Sequence, residues 1–537
     1  MTASTDIELN PEFLKALEIM EKTGQSVFIT GRAGTGKSTL LTYFRENTKK
    51  NVAVLAPTGV AAIHVRGQTI HSFFRFRPDV TPDTVGAMRP SDPKLYKSLD
   101  TIVIDEVSMV RADLLDCVDM FLRRFGRRPG EPFGGIQMVF IGDLYQLPPV
   151  VKSGEKDLFR EYYDSPYFFS ARSFGEVCPA FVELEKIYRQ SDEQFIGILN
   201  RIRNNTVSEE DLALLNERVI PDYLPGKGEF VIYLTTTNED ARKINEERLY
   251  TLKGKEVVYE GSLSGDFSKA DLPTDLMLRL KRGAQVMLLN NDSLGRWVNG
   301  TIGRVRDFEK KWTEEMVVLE LENGEVVEVG PYTWDMFEFY YDKEENRIAT
   351  RSIGSFTQYP LRLSWAITIH KSQGLTFERV IIDVGRGAFS HGQIYVALSR
   401  CRTLEGIVLQ KPILKRHILM DKAVVRFLTE YQYQAAEAMV SLEEKKAIIE
   451  KAQEKGQALE IVYLKNTDEK TRRIIIPLEV GMMSFQGKEF LGLRAFCMTR
   501  KEERTFRVDR ILSLRHVDIL TQVGENQKEK KSVPGEG

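Results

Sequence analysis

Residues 26–39 read SVFITGRAGTGKST, and this stretch decides how the first part of the chain folds. An apolar run is followed by the pattern G-x-x-x-x-G-K-[ST] and then by residues of helical period over 37–46. Glycines let backbone N–H groups approach phosphates, and the N-terminus of the next helix favours negative charge. A glycine turn before an ordinary helix is the plain alternative. Because strand, loop and helix follow in the required order, the stretch predicts a phosphate-binding loop.

Further apolar, β-branched runs follow the loop. They lie at Val52–Ala56, Thr101–Ile104 and Ile136–Ile141. Continuous runs of this kind are typical of strands buried on both faces of a parallel sheet, and helical patterns such as Arg111–Phe125 separate them. A second series of the same kind predicts a second α/β domain. Its runs are Phe181–Ile187, Val231–Thr235 and Val380–Val384. The sequence therefore predicts two doubly wound α/β domains.

Two later regions have a different pattern. From about residue 257 to 345 the strands are short and antiparallel, and Asn323-Gly324 between two alternating runs predicts a hairpin. We interpret this region as a β-rich module inserted into the second α/β domain. After residue 420 helices are predicted at Asp421–Gln434 and Ser441–Gln457, the latter with a capping box, followed by β patterns over 459–518. We expect the polar, lysine-rich residues 521–537 to be disordered.

The composition narrows the functional classes. The 537 residues carry 75 Lys+Arg against 77 Asp+Glu, a net charge of −2, which excludes a uniformly basic nucleic-acid coat but not a local basic groove. The four cysteines lie far apart with no C-x-x-C pair, which argues against a disulfide scaffold, a zinc finger or an iron–sulfur cluster. The N-terminus has no signal or transit pattern, and no apolar run approaches the length of a membrane span. We expect a soluble, cytoplasmic protein with no membrane contact and no structural metal.

Two carboxylates follow the predicted strand Thr101–Ile104, at the end where α/β sheets bind ligands. Asp105 is the expected Mg²⁺ partner together with Ser38 of the loop, and Glu106 is the expected general base that polarises the attacking water. Lys37 would reach the β- and γ-phosphates. The other predicted loop contacts are Gly31, Gly34, Thr35, Gly36 and Thr39. Together the loop and the carboxylates predict a nucleoside triphosphate hydrolase.

Other segments contain polar, basic and aromatic residues that nucleotide hydrolysis alone does not require. Gln146, after another strand, is expected to donate to the γ-phosphate, while Arg189 and Arg400 each suit a transferring phosphoryl group. Either arginine, taken alone, is more typical of a surface ion pair. Small polar and aromatic residues suited to single-stranded nucleic acid recur elsewhere, with loop and cap chemistry as the equal alternative and simple core for Phe73. They are Pro57, Thr58, Gly59, His71, Ser72, Phe73, Thr236, Thr237, Asn238, His370, Lys371, Ser372 and Gln373.

The motifs taken in order resemble superfamily-one helicases. They are GRAGTGKST, APTGVAAIHVRG, GQTIHSFF, IDEVSM, GDLYQLPPV, YRQ, ITIHKSQGLTFE and YVALSR. Residues 107–118, 281–291 and 298–305 are similar, more narrowly, to the petite-integration-frequency (PIF) family of 5′-to-3′ DNA helicases. The resemblance covers roughly residues 9–409. It implies two RecA-like domains with an SH3-like insertion, ATP and Mg²⁺ as cofactors, and single-stranded and 5′-tailed duplex DNA as partners.

The resemblance also implies boundaries and roles. Motor domain 1 is expected over 1–180 with a small wedge insertion near 63–80, motor domain 2 over 181–256 and 346–440, and the β-rich insertion over 257–345. Arg189 and Arg400 would close the nucleotide cleft from the second domain, and Gly374 would join the nucleotide-binding residues. Roles in DNA repair, replication or telomere-like maintenance follow, with a monomeric, nucleoid-associated protein. The glutamine that the family uses to contact adenine reads Phe13 here, so strict preference for ATP is not expected.

Residues 441–520 are expected to form a helix and a WYL-like domain. The resemblance rests on Ile461-Val-Tyr, on residues 473–478 and 487–495, and on 504–511, while the namesake Trp-Tyr-Leu reads Glu489-Phe490-Leu491. A cluster of arginines there is predicted to form a secondary single-strand site or a brake on the motor; the equal alternative is solvated surface paired with Glu502, Glu503 and Asp509. The arginines are Arg473, Arg494, Arg504, Arg507 and Arg510.

Two rival functions remain open. A RecD-like helicase shares most of the motifs, although residues 107–118 argue against it. An ATP-gated regulator would bind DNA without unwinding it, with the WYL-like domain as its ligand sensor. Strand separation on a 5′-tailed duplex distinguishes a helicase from the regulator.

Overall fold

The computed structural model describes residues 9–151, 153–190, 192–226, 228–311, 314–345, 347–384 and 390–517, so the predicted disordered tail lies outside the described residues. The chain divides into two compact units, Met1–Met420 and Asp421–Gly537.

The first part of unit 1 is a layered α/β domain, as the apolar runs predict. Its elements are α1 (Pro11–Lys22), β1 (Val27–Gly31), α2 (Lys37–Asn47), β2 (Val52–Ala56), α3 (Gly59–His64), β3 (Gln68–Thr69), α4 (Ile70–Phe74), α5 (Pro82–Val85), α6 (Pro93–Ser98), β4 (Thr101–Ile104), α7 (Ala112–Phe125), β5 (Gln137–Ile141), α8 (Lys156–Tyr162), α9 (Arg172–Val177) and β6 (Ala180–Leu184). The six strands form one parallel sheet in the order β3-β2-β4-β5-β1-β6. Helices α1 and α2 pack on β1, whose five residues are all buried.

Two predicted boundaries in this part are wrong. The run Phe181–Ile187 is predicted to begin the second domain, yet β6 pairs in parallel with β1 from Val27↔Ala180 to Gly31↔Leu184. A parallel strand's partner lies far away in sequence, so periodicity alone does not identify it. The predicted wedge near 63–80 is not a separate insertion, because β3 joins the first sheet beside β2 and α4 buries Ile70 and Phe73.

The second α/β domain is split by the insertion. Before the insertion come α10 (Glu193–Arg203), α11 (Glu209–Asn216), β7 (Ile232–Thr235) and α12 (Asn238–Thr251). The insertion contains β8 (Val257–Glu260), β9 (Ser262–Gly265), β10 (Met277–Leu280), β11 (Gln285–Leu288), β12 (Ile302–Lys311), β13 (Glu314–Leu321), β14 (Val326–Val329), β15 (Tyr332–Asp342), β16 (Arg347–Gln358) and β17 (Leu361–Leu363). After it come β18 (Ala366–Thr368), β19 (Val380–Ile382), α13 (Gln393–Leu398) and β20 (Ile407–Leu409).

The second sheet is parallel in the order β18-β7-β19-β20, and the insertion is antiparallel. The predicted hairpin at Asn323-Gly324 is confirmed, since β13 pairs with β14 across that turn. The insertion extends to residue 363 rather than 345, because β16 completes a long hairpin with β15 and β17 pairs with β11. This long hairpin reaches motor domain 1, where the backbone N–H of Phe339 donates to Oε1 of the buried Gln68 at 2.9 Å.

Unit 2 contains α14 (Lys422–Met439), α15 (Leu442–Glu454), β21 (Ala458–Leu464), β22 (Lys470–Phe485), β23 (Lys488–Cys497), β24 (Glu502–Arg507) and β25 (Ile511–Val517). The strands form an antiparallel sheet in the order β24-β23-β22-β21-β25, covered by α15. The capping box at Ser441 and Glu444 is confirmed. The predicted boundary of motor domain 2 at residue 440 is wrong, because helix α14 belongs to unit 2, where its Tyr433 donates its hydroxyl to the Leu464 carbonyl at 3.1 Å.

Candidate nucleotide and nucleic-acid sites

The phosphate-binding loop joins β1 to α2, as predicted. Gly34 and Gly36 have φ values of +83° and +87°, which glycine adopts without strain. The ammonium of Lys37 points into the loop and donates to the carbonyls of Gly31 at 2.7 Å and Arg32 at 2.9 Å. Burial lowers the pKa of Lys37, and the nearby carboxylates act in the opposite direction. Thr35 is buried in the loop, whereas Ser38 and Thr39 are exposed on the first turn of α2.

The two predicted carboxylates lie at the carboxyl end of β4, two strands from β1. Burial raises the pKa of Asp105. Burial, and then repulsion from Asp105, raise the pKa of Glu106 to about 7, against the opposing attraction of Lys37 and Arg400. A carboxylate with a pKa near neutrality suits a general base at physiological pH.

A third carboxylate, which the sequence analysis did not select, lies at the centre of the cleft. Asp143 follows β5 and is fully buried. It accepts hydrogen bonds from the Tyr145 backbone N–H at 3.1 Å and from Gln146 Nε2 at 3.3 Å, and it lies 3.8 Å from the Arg203 guanidinium. Its sequence signal is similar to that of Asp105, since each acid lies within two residues of the end of a buried parallel strand.

Gln146 itself faces the second domain. Its Oε1 accepts a hydrogen bond from Gln373 Nε2 at 3.3 Å, so Gln373, predicted as a DNA contact, points to the nucleotide cleft instead. The burial of Gln146 leaves its amide between the two motor domains.

The predicted arginines both lie in this cleft, but they enter it from different sides. Arg189 follows β6 of the first sheet, not the second domain, and a Cβ at Gly34 would lie only 2.5 Å from its Cβ. Its guanidinium donates to the carbonyls of Gly374 at 3.2 Å and Ser399 at 3.5 Å. Arg189 therefore spans from the loop to the second domain, where Gly374 has a φ of +78°.

Arg400 comes from the second domain, as predicted, and only 1% of it is exposed. Its guanidinium donates to the Val396 carbonyl at 3.0 Å, to Ser399 Oγ at 2.8 Å and to the Ser372 and Leu375 carbonyls at 3.4 Å. Burial, with repulsion from Arg189, lowers the pKa of Arg400 to about 9. Among the described residues no carboxylate forms an ion pair with it, so its charge is held by carbonyl dipoles and a hydroxyl.

Phe13 occupies the position at which the family is expected to carry a glutamine that contacts the nucleobase. Phe13 is a core residue, 2% exposed, packed near Gly36. Asn10 caps α1 by accepting from the Phe13 N–H at 2.8 Å, and its Nδ2 donates to the Tyr188 hydroxyl at 3.2 Å. The Tyr188 ring is 47% exposed beside Gly36, which makes it a candidate base platform that the sequence analysis missed.

The predicted DNA contacts of the first domain divide by exposure. Thr58 and Ser72 are exposed, and Pro57, Gly59 and His71 are half-buried. Phe73 is 3% exposed and packs edge-to-face on Phe74 and Tyr96, so the core alternative is correct and a stacking role is wrong. Asp271 of the insertion lies directly over Gly59, since a Cβ there would lie 2.0 Å from its carboxylate oxygen.

The contacts of the second domain divide in the same way. Thr237 and Asn238 are exposed at the start of α12, Thr236 is half-buried, and Lys371 is exposed next to the half-buried His370. Ser372 is fully buried and donates to the Ile369 carbonyl at 2.7 Å, so a direct DNA contact from its side chain is wrong.

The arginines of unit 2 do not form one free basic face. Arg494 pairs with Glu479 at 2.9 Å, Arg504 with Glu502 at 2.5 Å and Arg507 with Asp509 at 2.6 Å. Arg473 is buried on the core side, where it contacts Thr471 and Cys497. These pairs favour the solvated-surface alternative for the exposed arginines.

No described helix combines the length and apolar character needed to cross a bilayer. Nor do the described His, Cys, Asp and Glu side chains form a group of three or more that could hold a metal ion.

Successive regions of the chain match different protein-family models. Residues 11–212 match the model of PIF1-like helicases, 363–408 the UvrD-like helicase C-terminal domain, and 444–516 the WYL domain. The ATP-dependent DNA helicase PIF1 of Homo sapiens is 36% identical over 75% of this chain, and the match spans 61% of the human protein. The chain thus spans less than two thirds of the length of this vertebrate relative.

Two bacterial proteins are matched over nearly their whole length. The ATP-dependent DNA helicase Pif1 of Bdellovibrio bacteriovorus is 33% identical over 80% of this chain and 93% of its own length. The structure of Bacteroides Pif1 with ADP-AlF4 is 39% identical, with a TM-score of 0.72 over 80% of this chain and 98% of that one. The same Bacteroides protein bound to ssDNA matches with the same identity and coverage but a TM-score of 0.58. On this identity, coverage and fold, the chain belongs to the PIF1-like helicase family and carries a WYL domain.

Proposed function

We propose that the protein is an ATP-driven DNA helicase that translocates 5′-to-3′ on single-stranded DNA and unwinds duplex DNA. One observation carries the proposal. The phosphate-binding loop, the carboxylates after β4 and the two arginines meet in a single cleft between two parallel sheets of a chain that belongs to this family. Exposed polar residues that suit DNA lie on both domains.

The residues of the cleft take complementary roles in ATP hydrolysis. Lys37 leaves its loop carbonyls to hold the phosphates, and Glu106 accepts a proton from the attacking water. Gln146 contacts the γ-phosphate and links it to Gln373 of the second domain. Arg189 and Arg400 stabilise the charge that develops on the transferring phosphoryl group.

Ser38 and Asp105 fit a magnesium ion. The Ser38 hydroxyl is exposed at the start of α2. Burial raises the pKa of Asp105, so a cation bound beside its carboxylate would stabilise the charged form. Mg²⁺ bound there supplies charge neutralisation to the phosphates. Hydroxyl and carboxylate oxygens are the ligands that this ion prefers.

Base recognition rests on stacking in this proposal. The Tyr188 side chain is 47% exposed, with the Lys186 ammonium 5.2 Å from its ring centroid, while the Asn10 amide is already engaged with Phe13 and Tyr188. A ring face accepts any base, so we propose that ATP is preferred only weakly over other nucleoside triphosphates.

The proposed DNA path uses the accessible members of the predicted set. On the first domain these are Pro57, Thr58, Gly59, His71 and Ser72, and on the second they are Thr236, Thr237, Asn238, His370 and Lys371. The Asp271 carboxylate over Gly59 repels phosphate, and the lower TM-score against the ssDNA-bound relative is consistent with a DNA-free arrangement. DNA binding would therefore move the loop that carries Asp271.

We further propose that the protein is a monomer that acts in the cytoplasm at the nucleoid, in DNA repair and replication.

A duplex with a 5′ single-stranded tail tests the proposed helicase activity, with 3′-tailed and blunt duplexes as controls. ATP-dependent separation of the 5′-tailed duplex alone supports it. DNA-stimulated ATP hydrolysis without separation on any substrate would instead make the protein an ATP-gated regulator, and separation of the 3′-tailed duplex would reverse the direction.

A further inference from the structure

One hydroxyl joins the two motor domains at the phosphate-binding loop. Tyr395 lies in α13 of the second domain and is buried. Its hydroxyl accepts a hydrogen bond from the backbone N–H of Ala33 at 3.1 Å and donates to Asp143 Oδ2 at 3.3 Å. Ala33 belongs to the loop and Asp143 to the segment after β5, so a single side chain from the second domain contacts two segments of the first domain that line the nucleotide cleft.

A close approach of α13 to the first domain brings this side chain to the loop. Gly392 precedes α13 with a φ of +72°, and a Cβ there would lie 2.2 Å from the Tyr145 carbonyl oxygen and 2.5 Å from that of Gln146. Only glycine allows the start of α13 to approach the segment after β5 so closely. Tyr395 follows less than one helical turn later. Burial raises the pKa of Tyr395 to about 12, so the phenol keeps its proton and donates it to Asp143 at physiological pH.

Two donors of the loop are therefore engaged by the protein itself. Backbone N–H groups of such a loop bind phosphate oxygens, and the Ala33 N–H is bound by Tyr395 instead. The Lys37 ammonium is likewise bound by the Gly31 and Arg32 carbonyls. Lys37 acts within the first domain, whereas the Tyr395 contact depends on where the second domain lies.

We propose that the Tyr395 hydroxyl takes the place of a phosphate oxygen at Ala33 and that an incoming nucleotide displaces it. Tyr395 is then a positioning residue: occupancy of the loop changes the contacts of α13, and with them the position of the second domain. This inference rests on the proposed function and adds the residue that couples nucleotide binding to domain movement. Asp143, with three other donors around it, remains the fixed end of the link.

Removal of the hydroxyl has two opposite consequences. The Tyr395→Phe variant lacks the competitor for Ala33, so nucleotide binds about two- to tenfold more tightly, the range of one net hydrogen bond. The same variant loses the link to the second domain, so stimulation of ATP hydrolysis by DNA falls severalfold. If Tyr395 had only a structural role, its substitution by Phe would not tighten nucleotide binding while it weakens the stimulation of ATP hydrolysis by DNA.

The test uses the full chain and a matched control. In Tyr163→Phe the same atom is removed from a different tyrosine, which lies in motor domain 1 and donates its hydroxyl to Asp116 at 3.0 Å, away from the cleft. The dissociation constants of ADP and of a non-hydrolysable ATP analogue are measured without DNA, and kcat and KM for ATP with and without single-stranded DNA. We expect lower dissociation constants and reduced stimulation in Tyr395→Phe alone. Unchanged or weaker binding in that variant overturns the proposal.

Hydrogen exchange in the wild-type protein tests the Ala33–Tyr395 contact without any substitution. Hydrogen exchange at the Ala33 amide should be slow without nucleotide, because the N–H is bonded and buried. Fast exchange there refutes the contact even if Tyr395→Phe does not fold. A wild type that fails to hydrolyse ATP refutes the proposed function, whereas the exchange rate and the ADP affinities still judge the role of Tyr395.

Discussion

The arginines of the nucleotide cleft differ from those of the WYL domain in what neutralises them. Arg400 is 1% exposed and held by carbonyls and a hydroxyl, with no carboxylate partner among the described residues. The side chain of Arg504 is 43% exposed and pairs with Glu502, two positions away on the same strand. Burying an arginine without a carboxylate is costly, so the fold retains it where a ligand supplies the negative charge. An exposed arginine beside an acid needs no ligand.

Lys37→Ala gives the largest expected effect, because it removes the point cation that the phosphates require. Hydrolysis should fall to background, measured as phosphate release with single-stranded DNA present. DNA binding without nucleotide should survive, since the exposed polar contacts lie elsewhere. Hydrolysis near the wild-type rate would place the phosphate site outside residues 31–39.

Arg400→Ala tests the cleft side of the comparison directly. Loss of an arginine that acts on transition-state charge lowers kcat by ~10³–10⁵ in other phosphoryl-transfer enzymes, and we expect a fall in this range with a smaller change in ATP affinity. Arg402→Ala is the matched control, because Arg402 lies two residues away with a 57% exposed side chain paired to Glu378. A binding defect with kcat intact would contradict the role, and melting curves show whether the buried site still folds.

Glu106→Gln should lower turnover by at least ~10²-fold while ATP still binds, since the general base is lost but the phosphate contacts remain. The pH profile sharpens the assignment. The pKa of Glu106 is about 7, so the base is deprotonated above pH 7, and wild-type kcat should fall as the pH drops through that value. A Glu106→Gln variant that keeps this limb of the profile would assign the base to another residue.

The comparison also explains what the sequence could and could not predict. The loop at 31–39, Asp105 and Glu106 follow from local patterns, because each motif lies directly after a buried strand. Phe73 and Ser372 were misassigned because burial depends on residues far along the chain, such as Tyr96 packing on Phe73.

Longer-range features were less accessible still. The β1–β6 pair is separated by about 150 residues and the Tyr395–Asp143 contact by 252, so neither leaves a periodic signal in the sequence.

The local sequence does not single out Asp143 for a different reason. Its local signal is similar to that of Asp105, but Gln146 in the same segment suggests a role by itself, and only the packed structure shows that Gln146 and Tyr395 both bond to Asp143.

Arg504→Ala should give the smallest effect, and it tests the other side of the comparison. An exposed ion pair contributes about 0–1 kcal/mol to stability, and the Glu502 carboxylate left behind stays solvated. We therefore expect an unchanged melting temperature within one or two degrees, ATP hydrolysis at the wild-type rate and single-stranded DNA affinity within about twofold. The decisive measurement is the dependence of DNA affinity on salt, because each phosphate contact adds about 0.7 to the slope for a single strand. An equal slope in variant and wild type would confirm that Arg504 is neutralised by its neighbour. A reduced slope with a tenfold loss of affinity would mean that DNA displaces Glu502, and the WYL domain would then be a secondary single-strand site despite its ion pairs.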